Sequence, residues 1–509
     1  MSFSAADIQQ LTMLGIDPDR AEHQLALLRA GQSWVRLERP CVPGDGILQL
    51  EGQTTLYAQR FAQAVADGRL TRFVPASGAA SRMFASLHAP ADVFETCRAA
   101  PLPADAGEQE LALRRFFDEL SHFAFYSDLA QAMADEGISI DKVLAERDIA
   151  TLVRYLLEPC GLGYDELPKG LLAFHAAVDG ARTPFVEHQA EAALLCGSEN
   201  RMRLHFTVTP SHLPLFEAQH TAWKKLLDET YGCALEISYS VQKPSTDTLS
   251  LAGNDQPLRE TNGTLLLRPG GHGALIENLN DLQGDIVLVR NIDNVVPDAQ
   301  KEANLTATRL LTGLLLDLQE EQHALLRSLH SEGDDLVIRD LCFSFLCDRL
   351  QLEVPFDLPR PELIALLDRP LRVCGMVSNS GEPGGGPFWV RDANGRLSRQ
   401  IVEGAQIAKQ DPEQMRVLQQ STHFNPVDLV CGVRDWRGQP YNLSHFVDNE
   451  AVIVTEKSQR GETLRVLELP GLWNGAMAHW HTLFVEIPEK AFNPVKTVFD
   501  LLRPAHQGG

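Results

Sequence analysis

The sequence has no apolar run long enough to cross a bilayer, no paired-cysteine motif and too few cations to balance its acids. Its greasiest segment, Leu310 to Leu318, is broken by Thr312, Gly313 and Asp317, well short of the about 18 apolar residues that a spanning helix needs. No transmembrane helix and no membrane partner are expected. The opening MSFSAADIQQLTMLGI has neither the basic region nor the continuous apolar core of a secretory leader. Nine cysteines, at 41, 97, 160, 196, 233, 342, 347, 374 and 431, are odd in number and lack any CxxC. That excludes a disulfide framework and points to a reduced, cytoplasmic protein. Those in runs such as LCFSFLC (341–347) read as small core hydrophobes. With 45 Lys plus Arg against 68 Asp plus Glu, the net charge is −23. A surface that negative repels a polyphosphate strand, so nucleic acid is not an expected partner.

What is present is ordinary globular material: 509 residues, 44% apolar and 22% charged, enough for about two to four domains. Ser4 before an apolar periodicity and Asp17-Pro18 before another predict two helices, the second ending at Gly31. From Arg72 the texture changes. RFVPAS (72–77), RLHFTVTP (203–210), ALEISYSVQ (234–242) and DIVLVRNID (285–293) read as strands, and helical periodicity lies between the second and third. Strands alternating with helices predict an α/β fold with a mainly parallel mixed sheet flanked by helices, and place ligands beyond the carboxyl ends of the strands. The expected divisions are a helical region over 1–68, an α/β core over 69–300 with a helical insertion over about 86–165, a helical segment over 301–368, and a smaller α+β closing region over 369–509.

Four segments carry chemistry. VPASGAASRMF (74–84) is a strand end followed by small residues, where backbone N–H groups can wrap an anion and Arg82 adds a fixed charge; a purely structural turn fits the same residues. LPKGLLAF (167–174) pins Lys169 between a proline and a glycine, placed for a charge role, or as a solvated loop lysine. RPGGHGAL (268–275) starts a helix after glycines, so that N–H groups or the His272 ring can meet a nucleotide, or the turn is simply tight. NIDNV (291–295) ends a hydrophobic strand with Asp293, a hard oxygen ligand suited to Mg²⁺ shared with phosphates, or a turn residue. Walker, GxGxxG, HExxH and GxSxG patterns are absent, which disfavours P-loop kinases, dehydrogenases, zincins and serine hydrolases.

In this order, followed by VCGMVSNSGEPGGGPFWVRDANGRLSRQIVEG (373–404) and FNPVKTVFDLL (492–502), the segments resemble the sugar-nucleotide pyrophosphorylases of GT-A/Rossmann-like fold. Among these the likeness is greatest to the eukaryotic-type UDP-sugar pyrophosphorylases, and the sequence most closely resembles a bacterial family known only as a domain of unknown function. The resemblance implies a Mg²⁺-dependent nucleotidyltransferase that joins an NTP, with UTP favoured, to a sugar 1-phosphate. It implies that Ser77, Gly78, Ala79, Ala80 and Ser81 with Arg82 hold the triphosphate, that Lys169 and Lys496 approach the phosphates, and that Asp293 binds Mg²⁺. Gln242, Gly271, His272 and Gly273 would read base and ribose; Gly375, Glu403 and Asn425 would meet the sugar. The phosphate loop keeps one glycine, Gly78, where the family's loops carry more. Lys169 lies on the far side of the helical segment from Arg82, so that segment must return to the loop it left. A GT-A glycosyltransferase and a noncatalytic nucleotide-sugar sensor are the other readings, although Ile292 and Asn294 beside Asp293 do not form the Asp-x-Asp usual in the former.

Overall fold

Ile286–Arg290 (IVLVR) is buried at every position, as a strand covered on both faces must be, and the fold is organised around it. The computed structural model describes residues 3–507 except positions 51, 53, 100–101, 103–104, 179, 199, 332–335, 380, 382–383, 393–394 and 460–461. Close contacts group the chain into two units, each gathered from separated stretches. Met1–Phe73, Ser240–Arg290 and Thr306–Glu489 make the first; Val74–Tyr239, Asn291–Leu305 and Lys490–Gly509 make the second. This grouping differs from contiguous divisions at 68, 300 and 368, because strands adjacent in a sheet come from distant parts of the chain.

In the first unit the strand order is Val42–Pro43, Gly46–Leu48, His481–Glu486, Leu371–Ser378, Asp428–Gly432, Ile286–Arg290, Leu70–Pro75. Asp428–Gly432 runs antiparallel to both its neighbours, whereas the other adjacent pairs are parallel. The sheet is thus mixed and mainly parallel. On one face Phe73, Val287, Val289, Cys374, Met376, Leu429 and Phe484 pack with Leu275, Ile276 and Leu279 of the helix Leu275–Asp281. On the other face lies the helix Glu302–Ser331. A Cβ built on Gly375 would sit 3.3 Å from Leu311, and one on Gly432 3.5 Å from Leu315. The N-terminal helices are Ala5–Met13, with a Ser4/Asp7 capping box, and Pro18–Ala30, capped by Asp17 and ended by Gly31 at φ 82°. Their apolar faces join Leu249, Leu251, Val452, Val454 and Leu467 in a separate cluster.

In the second unit the strands Arg201–Thr207 and Ala234–Ser240 are neighbours and are joined by the helix Leu213–Tyr231, which stops at a left-handed Gly232. The helical insertion, from Ala91–Cys97 to Ile149–Leu157, surrounds an aromatic core of Phe84, Phe116, Phe123, Phe125 and Tyr164. Val295 and the C-terminal Val495, Val498 and Leu501 belong to the same core, so the insertion, the chain after the central strand and the tail fold as one body. Among the described residues no helix is long and apolar enough to cross a membrane.

Gly313 marks a close helix crossing in the first unit. A Cβ there would lie 2.4 Å from the Tyr57 Cα, on the helix Thr54–Ala66, where a backbone atom cannot rotate aside. Gly313→Ala is expected to destabilise the fold by about 1–3 kcal/mol through overpacking, read as a lower urea midpoint with an unchanged slope.

Candidate functional site

The chain enters the second unit at Asn291 and is fastened at once from two directions. His188, buried on the helix Pro184–Cys196, donates from Nε2 to the carbonyls of Asn291 (3.1 Å) and Ile292 (3.2 Å). From the tail, the Asn493 N–H donates to Asn294 Oδ1 (2.9 Å) and the Val495 N–H to the Asp293 carbonyl (3.1 Å). Asp293 is thereby fixed between two lysines. Lys169 Nζ donates to its Oδ2 at 2.9 Å and to the Val495 carbonyl at 2.8 Å; Lys496 Nζ reaches the same Oδ2 at 3.1 Å. The Lys496 backbone is held in turn, its N–H and that of Thr497 donating to Asp500 Oδ2 at 2.8 and 2.7 Å.

Burial by itself raises the Asp293 pKa, but Lys496 and Lys169 outweigh it and hold the carboxyl below the usual carboxylate range. The two cations leave the cluster with one net positive charge, and they use only one carboxylate oxygen. Asp293 Oδ1 is buried with no hydrogen-bond partner, a costly state unless something else occupies it. Among the described residues no group of three His, Cys, Asp or Glu side chains is gathered as a metal cage. A lone hard carboxylate with an open oxygen fits Mg²⁺, which binds through one or two carboxylates and completes its shell with phosphate oxygens and water.

The small-residue loop lies against Lys169. Ala79 and Pro168 form an antiparallel bridge, in which the Lys169 N–H donates to the Gly78 carbonyl and the Ala80 N–H to the Leu167 carbonyl, both at 3.2 Å. The helical excursion thus returns to the loop it left. Ala80 is buried and its N–H is used by Leu167, so it is the loop member turned inward. Ser77 is half-buried, while Gly78, Ala79, Ser81 and Arg82 are exposed; no ion pair joins Arg82 to the lysine–aspartate cluster.

The same unit holds a charged network that sequence reading does not single out. Glu187 accepts from His175 Nδ1 at 2.9 Å and from Lys301 Nζ. Lys301 also reaches Asp298 Oδ1 at 2.7 Å, and His175 Nε2 meets His506 Nδ1 at 3.0 Å. All but Asp298 are buried. Burial, with the neighbouring His175, pushes His506 down to about 3, so the ring that ties the tail to this network is neutral at physiological pH. The signal available in sequence is TPFVEH, whose Glu187 and His188 stand amid apolar residues of a helix that proves buried nearly throughout.

The remaining expected residues lie in the first unit. Gly271 has φ +77°; a Cβ on Gly273 would lie 2.2 Å from the Pro470 carbonyl oxygen, and one on Gly270 2.5 Å from that of Thr246. Packing against 468–473 therefore dictates these glycines. The Leu472 N–H donates to His272 Nδ1 at 3.2 Å, which leaves the ring proton on Nε2, 3.7 Å from Glu403. Trp473 stacks on the ring at 4.4 Å. Burial lowers the His272 pKa despite the opposing Glu403 and Glu468. Asn425 is buried, accepts from the Val427 N–H at 3.1 Å, and has no partner for its Nδ2. Gly375 is inside its strand, its open side filled by Ile487. Gln242 is half-buried. Lys169, Asp293 and Lys496 thus meet in one unit, and His272 meets Glu403 in the other.

A family described as "Domain of unknown function (DUF4301)" matches residues 4–507. No curated protein matches the chain. Among solved structures, the UDP-glucose pyrophosphorylase of Leishmania major is similar at 13% identity and TM-score 0.44, over 98% of this chain and 79% of that one. The uridine diphosphate N-acetylglucosamine pyrophosphorylase of Trypanosoma brucei is similar at 13% identity and TM-score 0.48, over the same shares.

The depressed Asp293 carboxyl sets a pH signature. A group whose pKa is lower folded than unfolded stabilises the fold above its unfolded value, about 3.9, and loses that contribution as pH falls through the folded value. Wild type is expected to exceed Asp293→Asn in urea stability at neutral pH, with the gap closing only below about pH 4. A gap that stays constant down to acid unfolding would show that the lysines do not hold the carboxylate.

Proposed function

The chain belongs to the DUF4301 family, and for it we propose nucleotidyl transfer: a sugar 1-phosphate oxygen attacks the α-phosphorus of an NTP, a new P–O bond forms, and the bond to pyrophosphate breaks. The observation that carries this reading is the convergence of Lys169 and Lys496 on buried Asp293, beside a loop of small residues, with one carboxylate oxygen unused. Two anionic reactants must be brought together in line, so the barrier is dominated by placement and charge neutralisation; no protein nucleophile or general base is required.

Lys169 and Lys496 offset the charge on the α-phosphate and on the leaving pyrophosphate. Arg82 and the N–H groups of the 77–81 loop other than that of Ala80 bind the outer phosphates. Asp293, with its unpartnered oxygen, would hold Mg²⁺, and the ion when bound would supply further positive charge to phosphate oxygens. UTP is the favoured nucleotide, with Gln242 and the Gly271–Gly273 turn reading base and ribose. Glu403 and the unpartnered Asn425 amide bind sugar hydroxyls, and Gly375, with its side filled, contributes backbone alone. The absence of an Asp-x-Asp around Asp293 places a pyrophosphorylase ahead of a glycosyltransferase.

Pyrophosphate exchange tests the reaction. With Mg²⁺, labelled pyrophosphate and a panel of UDP-sugars, labelled UTP is expected, and its absence with every UDP-sugar would overturn the proposal. Removing one transition-state contact of this kind costs about 3 kcal/mol, so Lys496→Ala is expected to lower turnover by on the order of a hundredfold. Asp293→Ala is expected to abolish the Mg²⁺-dependent rate; unchanged kinetics in either variant removes that residue from the mechanism.

A further inference from the structure

The first unit contains a cavity of about 380 Å³ lined by none of the residues given a role in the proposed reaction. Its walls come from Arg20, His23, Gln24 and Leu27 on the helix Pro18–Ala30, and from Leu469 and Pro470. That volume lies in the range of small-molecule sites, which pair apolar walls with a few directed polar groups. Three features give this cavity a chemistry. Gln24 is only 4% exposed; its Oε1 accepts the Leu249 N–H at 3.2 Å, which fixes the amide so that Nε2 is the group left over, and Nε2 is buried with no partner. Arg20 has no ion pair among the described residues. One acid, Glu450, also lines the cavity, and it pairs with His23 at 3.1 Å. An unpaired guanidinium and an unsatisfied amide donor beside Leu27, Leu469 and Pro470 suit an anionic head on an apolar body.

We propose that this cavity binds a small organic anion, a phosphate or carboxylate carried on a compact apolar group, and that it regulates the nucleotide turn. The wall formed by Leu469 and Pro470 belongs to the segment that shapes that turn. The Leu469 N–H donates to the Gly270 carbonyl at 2.9 Å, the Pro470 carbonyl fills the space at Gly273, and Leu472 and Trp473 hold the His272 ring. A ligand that moves Leu469 and Pro470 changes the register of those contacts, and a difference in affinity between the two arrangements is all that coupling requires. Binding stands independently of the proposed reaction; the coupling rests on the reading of the turn as a nucleotide contact.

Calorimetric titration of the full chain with phenyl phosphate, phenylacetate and inorganic phosphate tests both parts. Saturable binding of at least one aromatic anion is expected, tighter than inorganic phosphate and weakened at least tenfold by Arg20→Ala and by Gln24→Glu. The latter keeps the acceptor for Leu249 and replaces the donor with an acceptor; Arg20→Ala removes a group without partners and guards against misfolding of the buried variant. No binding of either aromatic anion, binding unaffected by both variants, or inorganic phosphate binding as tightly would overturn the site. UTP titrated with and without the bound aromatic anion is expected to shift in affinity at least threefold, and the anion's affinity to shift by the same factor with UTP bound. Anion binding with an unmoved UTP affinity would overturn the coupling while leaving the site, and loss of UTP binding altogether would implicate the reading of the turn instead.

Discussion

Two ammonium groups share one oxygen of a buried carboxylate, and the other oxygen is left open. This asymmetric contact constrains the rest of the second unit. A buried carboxylate alone is expensive and takes up a proton to escape the cost; Lys169 and Lys496 keep Asp293 ionised instead. Taking either lysine away leaves the carboxylate with a single cation and a weaker hold on its charge, the more so at Lys169, whose side chain is 14% exposed against 41% for Lys496. The three members come from residues 169, 293 and 496, so the contact forms only when the returning excursion, the end of the central strand and the tail are all in place. On a chain of net charge −23 it is also a small basin of positive charge created by convergence, not by composition.

Each member is held by its backbone as well as by its charge. Lys169 is bridged to the loop through Gly78, Asp293 receives the Val495 N–H, and Lys496 is turned by Asp500. His188 fastens the carbonyls before Asp293, and the Glu187–Lys301 pair with its histidines is buried in the same unit. Holding charged groups in place before a ligand arrives is what makes electrostatic stabilisation effective, because no reorganisation is then needed as charge develops. The layered support thus belongs to the same physical scheme as the cluster it surrounds.

Much of this was legible where the signal is local or strongly patterned. Ser4, Asp17, Pro18 and Gly31 bound the first two helices where capping chemistry predicts, and IVLVR is a strand because an apolar β-branched run covered on both faces has little alternative. Lys169, Asp293 and Lys496 stood out through the order of their motifs. Lys301, Asp500 and His506 did not, since nothing in the neighbouring sequence marks a residue whose role is set by a contact made more than a hundred positions away, or, for Asp500, by a turn within a tail that acquires meaning only once docked. The discontinuous units were hidden for the same reason: strand adjacency is a tertiary fact, and Leu371–Ser378 and Asp428–Gly432 read alone give no hint that they complete the sheet containing Ile286–Arg290.

The glycines separate two kinds of cause that a sequence cannot distinguish. At Gly270 and Gly273 a side chain would strike backbone oxygens, and at Gly271 the dihedral itself excludes one; there the folded chain explains the residue fully. Gly78 is different. A Cβ at that position would meet nothing within 4 Å, and its φ lies outside the left-handed region, so neither packing nor backbone conformation requires glycine. Nor does its hydrogen bond to Lys169, which uses only the carbonyl. What glycine alone still offers there is unobstructed approach to the main chain, the property that lets successive N–H groups wrap an anion. The neighbouring Ala79 and Ser81 keep side chains small without removing them, and Ala80 turns inward, so on this argument close approach is concentrated at one residue of the loop, adjacent to the lysine that completes the charged cluster.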